Sequence, residues 1–298
     1  METQNRSSQP RASETISTRA ALIAELARNW PMRLLKQLEP ATNYYPDPWQ
    51  QDLIEGNYKR FILNCSRQSG KTHTTGAIGA FMALGRPGSL TLVISGQMDR
   101  QGRNAFLRVI HPIRLTKLRM AEDTRYTATL ETGSHIAVLA ADADTVRSYS
   151  APDMIIVDEA SRVPEDVFQA IEPMMSTNPD CIYALMSTPN GKQGTFYNTW
   201  VSNNDDNIYD WQGINDGWHR VQVSWRDCPR ISEEWVEGQR VRWGGRYVAQ
   251  EYECQFVEAE DQLFRNADIE AMFGDEVERL EDSGLELVAG KTNGIPGL

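Results

Sequence analysis

The 298-residue sequence has few cysteines, no long apolar run and no overall excess of basic residues. Because no stretch of 18 apolar residues occurs, we expect no membrane-spanning segment. Residues 1–5 lack the basic and apolar segments of a secretory signal. The four cysteines are widely spaced, which favours neither a disulfide framework nor a zinc site and fits a reducing, intracellular compartment. A net charge of −11 argues against a protein that covers nucleic acid with its whole surface.

The clearest motif is a Gly-Lys-Thr sequence between a short apolar run and an apolar helical pattern. Residues 61–63 predict a buried strand, and residues 77–84 predict a helix. At such a junction the free backbone N–H groups and the helix dipole favour a polyphosphate anion. Cys65 stands where these loops usually have their first glycine, so the assignment depends on partners further along the chain. The predicted ATP-binding loop consists of Ser66, Arg67, Gln68, Ser69, Gly70, Lys71 and Thr72.

A carboxylate pair supplies the partners that this loop requires. Lys71 would place a charge beside the outer phosphates, and the Thr72 hydroxyl would bind Mg²⁺. The apolar strand predicted at residues 154–157 ends in Asp158 and Glu159. We expect this strand beside the loop strand, where Asp158 would hold Mg²⁺ through a water molecule. Glu159 would orient and deprotonate the water that attacks the triphosphate.

Hydroxyl and guanidinium groups extend the predicted site. Ser187 and Thr188 end the next predicted strand, where they would sense the γ-phosphate, and a turn at Pro189 is compatible with that role. Arg67 within the loop and Arg147 before the Asp158 strand are candidates for the positive charge of an arginine finger. For Arg147, a structural ion pair is an equally open alternative.

Trp49 and Gln50 stand at the start of a predicted helix upstream of the loop. A glutamine amide offers a donor and an acceptor to the edge of adenine, and an aromatic ring offers a stacking face. In the alternative, Trp49 belongs to the core and Gln50 is solvated. This stretch alone does not decide between a nucleotide contact and a structural role.

A basic window is the best candidate for a DNA-binding surface in this acidic chain. Residues 100–125 carry seven Lys or Arg residues against two acidic ones, an excess of five positive charges. Neutralisation of phosphates dominates non-specific binding of nucleic acid. We predict contacts from Arg100, Arg103 and Arg108, with a solvated helix face as the alternative.

Strands that alternate with helices predict an α/β fold with a mainly parallel sheet flanked by helices. The phosphate loop specifies this as a P-loop NTPase of the ASCE type, and residues 127–140 predict a hairpin within it. We expect a mobile segment and a helix in residues 1–30. We favour docking of that helix on its own chain, with docking on a neighbouring subunit as the alternative. The ATPase core would occupy residues 31–225. Residues 226–298 would form a helical lid or linker subdomain with an acidic tail.

Three segments together resemble the ATPase domain of the large terminase subunit, the DNA-packaging motor of tailed phages. The resemblance runs from about Trp49 to Phe256. It implies an arginine inside the phosphate loop, an adenine contact by Gln50, catalysis by Glu159 and a coupling role for the Ser-Thr-Pro motif. The segments that carry it are 66–72, 146–148 with 154–160, and 186–197.

The same resemblance implies ATP and Mg²⁺ as cofactors and double-stranded DNA as the substrate that is moved. It further implies a homo-oligomeric ring on a portal protein, a small terminase subunit as a partner, and the cytoplasm of a host bacterium as the location. About forty residues follow Phe256, and they show no apolar strand that ends in an aspartate, so we expect no nuclease activity from this chain. The alternatives are a helicase-like, DNA-dependent ATPase and a nucleotide-gated assembly protein.

Overall fold

The computed structural model describes residues 18–29, 31–42, 45–202 and 217–258. Its helices are α1 Thr18–Asn29, α2 Pro31–Thr42, α3 Pro48–Glu55, α4 Lys71–Gly85, α5 Arg103–Leu115, α6 Ala143–Arg147, α7 Glu165–Ser176, α8 Gly194–Val201, α9 Glu233–Trp243 and α10 Gly245–Glu251. Its strands are β1 Arg60–Cys65, β2 Leu90–Ser95, β3 Met120–Asp123, β4 Thr127–Leu130, β5 His135–Ala140, β6 Met154–Asp158, β7 Ile182–Ser187 and β8 Trp218–Val223. The predicted mobile segment and acidic tail lie outside the described residues.

The eight strands form one sheet in the order β3-β4-β5-β2-β6-β7-β1-β8. The pairs from β5 through to β8 are parallel, and β3 and β4 add an antiparallel edge. The predicted hairpin is therefore the β4–β5 pair, and the mainly parallel α/β fold is confirmed. The edge strand β3 has an exposed, charged sequence with no apolar alternation, which is why the sequence did not predict it.

One sequence-based expectation about this sheet is wrong, namely that the strand ending in Asp158 lies beside the loop strand. Strand β7 lies between β1 and β6 and is parallel to both. Hydrophobic patterning identifies a strand but does not identify its neighbours. The functional consequence is small, because the carboxyl ends of parallel strands meet at one edge of the sheet. The inserted strand brings Ser187 to the same edge, between the phosphate loop and Asp158.

Two apolar layers cover the faces of the sheet, and strand β1 shows how alternation divides its side chains between them. Phe61, Leu63 and Cys65 contribute to one buried cluster, whereas Ile62 belongs to the other. Strands β1, β2, β6 and β7 are buried almost throughout, as expected for parallel strands with helices on both faces. The site-bearing loops thus stand on a rigid base.

Helix α1 docks on its own chain, which is the outcome expected from the sequence. Ala20, Ile23 and Ala27 are buried in the same cluster as helix α4. The Arg28 Nε atom donates a hydrogen bond of 3.1 Å to the carbonyl oxygen of Gly85, at the end of α4. Residues 1–17 and residue 30 of the predicted N-terminal segment lie outside the described residues. Within the portion of the chain that the structure describes, no helix is long and apolar enough to cross a bilayer.

All four cysteines are free and buried. Burial raises the pKa of both Cys65 and Cys181 to about 12. Burial also raises the pKa of the Cys228 and Cys254 thiols. Cys65 lies at the end of β1, where its side chain packs inside the core. A side chain at this first position of the loop is therefore accommodated without occupying the surface that faces a ligand.

Helices α4 and α5 pack closely at Gly76, and this contact yields a stability prediction. A Cβ atom on Gly76 would lie 2.6 Å from the Cβ and 2.9 Å from the carbonyl carbon of Arg108. Since the backbone of α5 cannot yield without shifting the helix, we expect Gly76→Ala to lower the free energy of unfolding by about 1–3 kcal/mol. Urea denaturation would measure this change.

The matched control for that substitution is Gly238→Ala. Gly238 lies in helix α9, and no neighbouring atom lies within 4 Å of the position that an added Cβ atom would take. Alanine has the higher helix propensity, so this variant should be more stable by up to about 1 kcal/mol. If the Gly76→Ala protein is as stable as wild type, α4 and α5 can move apart without lowering the free energy of unfolding.

Candidate active site

The phosphate loop forms the turn between β1 and α4, as predicted. Gly70 has φ +97°, a left-handed conformation that favours glycine, and helix α4 begins at the next residue, Lys71. A Cβ atom on Gly70 would lie 2.6 Å from the Gln50 Nε2 atom. The loop therefore presents the N-terminus of a 15-residue helix to its surroundings, the arrangement that favours an anion.

A cleft of about 1150 Å³ opens over this loop. The predicted residues that line it are Gln50, Arg67, Gln68, Ser69, Gly70, Lys71, Thr72, Glu159 and Thr188. Trp49 is instead packed against the core, which corresponds to the structural alternative considered for that residue. Ser66, Ser187 and Asp158 are buried and are not among the described residues that line the cleft. The structure thus brings most of the predicted nucleotide-site residues to one surface.

Asp158, the last residue of β6, and Glu159, which follows it, have different environments. Asp158 is buried, and burial raises its pKa to about 7, with the Glu159 carboxylate adding to the rise and Lys71 opposing it. Glu159 has φ 54° and ψ 43°, an uncommon left-handed conformation for a residue other than glycine. Its Oε1 atom lies 3.7 Å from the Lys71 Nζ atom. Strained backbone of this kind is typical of functional positions, and here it places the Glu159 side chain in the cleft.

Gln50 is held in place by a capping arrangement at the start of helix α3. Its Oε1 atom accepts a hydrogen bond of 2.8 Å from the Asp47 backbone N–H at the start of α3. Arg230 binds both carboxylate oxygens of Asp47, at 3.0 and 2.7 Å, and donates to the Ser69 carbonyl oxygen at 3.2 Å. Arg230 thereby ties the segment before α9 to the phosphate loop and to the start of α3. Gln50 is buried rather than solvated.

The predicted arginines occupy two different settings. Arg67 lines the cleft, and its Nε atom lies 2.5 Å from Glu251 Oε2 on helix α10; this hydrogen bond raises the pKa of Arg67. Arg147 is exposed and pairs with Asp144, one turn earlier in α6, at 3.0 Å. The ion-pair alternative considered for Arg147 is therefore present in the structure. Arg147 is not among the described residues that line the cleft of its own chain.

The Ser-Thr-Pro motif follows β7, between the loop strand and β6. The Ser187 hydroxyl lies 2.7 Å from the Ser161 hydroxyl, in the turn after Glu159. The Thr188 hydroxyl accepts a hydrogen bond of 3.4 Å from Arg162 and faces the cleft. Both predicted hydroxyl groups are thus linked to the segment that carries Glu159.

The predicted DNA-contacting arginines do not form one surface. Arg100 is exposed, and Arg103 lines a separate cavity of about 520 Å³ together with Arg114 and Arg125. Arg108 lines the nucleotide cleft instead, and its backbone packs against Gly76. The helical period explains the difference, because a residue five positions beyond Arg103 faces a different side of the helix. The basic residues of the window are therefore divided between the nucleotide cleft and the separate cavity that Arg103 lines.

Sequence reasoning missed several residues that line the cleft or contact the residues that line it. Arg162 donates to Glu159, Glu251 binds Arg67, and Arg230 binds Asp47. Trp235 on α9 is exposed in the cleft. Arg162 follows Glu159 by three residues, a spacing that signals a side-chain pair in helical structure. The other three come from the region after residue 225, and no local pattern linked that region to the phosphate loop.

Comparison with known proteins agrees with this geometry. Residues 62–271, more than half of the chain, match the family model for the terminase large subunit, T4likevirus-type, N-terminal. A search of curated proteins found no significant match.

Solved structures give the same picture. The large terminase ATPase domain of Thermus phage P74-26 is similar at 24% identity and TM-score 0.62, over 74% of this chain and 98% of that one. The large terminase of bacteriophage HK97 is similar at 17% identity and TM-score 0.56, over 73% and 52%. The large terminase of a thermophilic bacteriophage, solved in complex with ADP, is similar at 11% identity and TM-score 0.56, over 71% and 54%. The chain thus spans about half the length of the last two proteins. At these identities the structural likeness establishes the P-loop NTPase fold. The match to the N-terminal family model over residues 62–271 establishes the family: the chain belongs to the terminase large subunit family, T4likevirus-type.

Proposed function

We propose that the protein hydrolyses ATP and uses the released energy to move double-stranded DNA into a viral capsid. The observation that carries the proposal is the position of Glu159. This residue lines the cleft over the phosphate loop, and its carboxylate lies 3.7 Å from the Lys71 ammonium. The related large terminase of the thermophilic bacteriophage is solved in complex with ADP and with ATP-γ-S, which supports nucleotide binding in this cleft. The action would take place in the cytoplasm of a host bacterium.

The residues of the cleft have separable roles in this proposal. The backbone N–H groups of the loop and the Lys71 ammonium bind the phosphates. Glu159 accepts a proton from a water molecule as that water attacks the γ-phosphorus. The bond between the γ-phosphorus and the β–γ bridging oxygen then breaks, and ADP and inorganic phosphate are released. The loop arginine, Arg67, would stabilise the charge that develops on the phosphoryl oxygens.

The donors at the loop fit a magnesium ion. The Thr72 hydroxyl and the Asp158 carboxylate are oxygen ligands, which Mg²⁺ prefers, and Asp158 is a buried carboxylate for which no cationic partner within hydrogen-bonding distance is present among the described residues. When bound, Mg²⁺ neutralises charge on the β- and γ-phosphate oxygens. We propose that Thr72 and Asp158 hold it, Asp158 through a water molecule.

The cleft also offers groups that suit the nucleoside. Gln50 would offer its amide to the adenine edge, and Tyr45 and Trp235, which line the same cleft, present exposed aromatic rings. Arg147 is a candidate arginine finger for a neighbouring subunit, because it is exposed and does not line its own cleft. A homo-oligomeric ring on a portal protein, with a small terminase subunit, would provide that neighbour.

The direct test of this function is phosphate release from ATP by the full chain, with and without linear duplex DNA. We expect hydrolysis that linear duplex stimulates, without cleavage of that DNA. Equal hydrolysis with and without DNA would argue against a translocating motor, and cleavage would show that a nuclease activity is present after all.

The DNA-binding surface itself gives a separate prediction. Charge reversal at Arg100 and Arg103, Arg100→Glu with Arg103→Glu, should weaken stimulation by DNA. It should also reduce the slope of log affinity against log salt by about one for each phosphate that the protein no longer neutralises. Binding of labelled duplex at several salt concentrations would measure this. Arg108 is left unchanged because it lines the nucleotide cleft.

The matched control is charge reversal at two exposed basic residues of helix α2, Arg33→Glu with Lys36→Glu. This variant makes the same change in net charge and should retain the wild-type salt slope. If both double variants bind DNA alike, the basic window is a solvated surface.

A further inference from the structure

Arg162 contacts three separate parts of the active site. Its Nη1 atom donates to Glu159 Oε2 at 3.0 Å and to the Thr188 hydroxyl at 3.4 Å. Its Nη2 atom lies 3.7 Å from Glu251 Oε1. One guanidinium group therefore connects the turn after β6, the loop after β7 and helix α10. The sequence motifs assign Arg162 no role in binding the phosphates or the base.

Glu251 is the second element of this arrangement. It is only 4% exposed, yet it carries two arginine contacts, Arg162 on one carboxylate oxygen and Arg67 of the phosphate loop on the other. A buried carboxylate of this kind requires both its charge and its hydrogen bonds to be satisfied. Its backbone carbonyl also accepts a 2.9 Å hydrogen bond from the Arg67 N–H. Helix α10 is thus coupled to the phosphate loop and to Arg162 together.

The Glu159 carboxylate has partners on both of its oxygens. Lys71 lies 3.7 Å from Oε1, and Arg162 is bound to Oε2. When a triphosphate occupies the loop, the Lys71 ammonium is directed to the phosphates, which leaves Arg162 as the group that fixes the direction of the carboxylate. Since a displacement of about 1 Å in a reacting group lowers a rate about 100-fold, that direction matters for hydrolysis.

We propose that Arg162 is a positioning residue that orients Glu159 and makes this orientation depend on the position of helix α10 through Glu251. The inference rests on the proposed function, since it assigns Glu159 the role of base. It adds that movement of the α9–α10 helices relative to the sheet changes the distance between Arg162 and Glu251. Hydrolysis would then respond to that movement without any change in the phosphate loop itself.

The test uses the full chain with Arg162→Gln, which removes the charge and keeps most of the length. We expect kcat to fall about 100-fold while the dissociation constant for ADP, measured by calorimetry, changes by less than about threefold. The melting temperature should stay close to that of wild type, because Arg162 is partly exposed and the buried Glu251 carboxylate keeps its contact with Arg67. Arg162→Lys should recover only part of kcat, because an ammonium cannot reproduce the fork of a guanidinium.

Arg226→Gln is the matched control. Arg226 is an exposed arginine that pairs with Glu253 at 3.5 Å and contacts neither Glu159 nor Glu251, so the variant should have the wild-type kcat. A kcat for Arg162→Gln within about threefold of wild type would overturn the proposal. So would a parallel loss of ADP affinity and melting temperature, since this marks a structural role. If the wild-type chain hydrolyses no ATP, the proposed function and this inference fall together.

A separate experiment tests the coupling of Arg162 to helix α10 through Glu251. Glu251→Gln should also lower kcat, and the double variant with Arg162→Gln should lose less than the product of the two single effects. Such non-additivity is expected when two residues act through one contact. Effects on kcat that simply multiply would show that Arg162 acts without Glu251 and would overturn the link to α10.

Discussion

Replacement of Lys71 with alanine is expected to abolish ATP turnover, with kcat/KM reduced at least about 1000-fold. Lys71 is nearly buried at the first position of α4, and its ammonium lies 3.7 Å from Glu159. The substitution removes the positive charge that would face both the outer phosphates and Glu159, the proposed catalytic carboxylate. Phosphate release from ATP measures the effect directly, and nucleotide affinity should fall with it.

Lys59→Ala is the control for the Lys71 variant. Lys59 forms an exposed ion pair of 2.6 Å with Asp180, and it does not line the cleft. An exposed pair of this kind contributes little to stability, so turnover should stay at the wild-type level. Turnover that persists in Lys71→Ala would remove the phosphate loop from its assigned role.

The second large effect is expected for Glu159→Gln, which should bind ATP and fail to hydrolyse it. Glutamine keeps the shape of the side chain and its contact with Arg162, but an amide cannot accept the proton of the attacking water. General-base catalysis contributes about 10²- to 10⁴-fold, so kcat should fall by that factor while the dissociation constant for ATP stays nearly constant. Calorimetry for binding and phosphate release for turnover separate the two effects.

Glu172→Gln makes the same chemical change at an exposed position of helix α7 and should leave kcat unchanged. Hydrolysis that survives in Glu159→Gln would mean that another carboxylate acts as the base. Asp158 would be the first residue to test, because its side chain lies at the end of the same strand.

The sequence predicted those parts of the site that depend on local patterns. The apolar run before the loop and the glycine at its end placed Lys71 at a helix N-terminus. The fully apolar β6 likewise placed Asp158 at the edge of the sheet. Both inferences use neighbouring residues only, and the family resemblance built on them is confirmed by the match over residues 62–271.

The parts that could not be predicted depend on long-range packing. The Arg67–Glu251 contact joins residues 184 positions apart, and the Arg230–Asp47 contact joins residues 183 apart. The insertion of β7 between β1 and β6 is a choice of strand order that apolar alternation does not specify. Arg108 is a further example. The local density of positive charge predicted that Arg108 lies on a DNA-binding surface, whereas the packing of helix α5 directs it to the nucleotide cleft.

The burial of all four cysteines has a practical consequence for following the motor in motion. Since the thiolate is the reactive form, buried thiols whose pKa is raised react slowly with maleimide dyes. A single cysteine introduced at a surface position, such as Val241→Cys on helix α9 where the side chain is 83% exposed, would be modified first. A fluorophore can thus be attached to α9 while every native cysteine is retained, and its anisotropy with and without ATP can then test whether this helix is displaced.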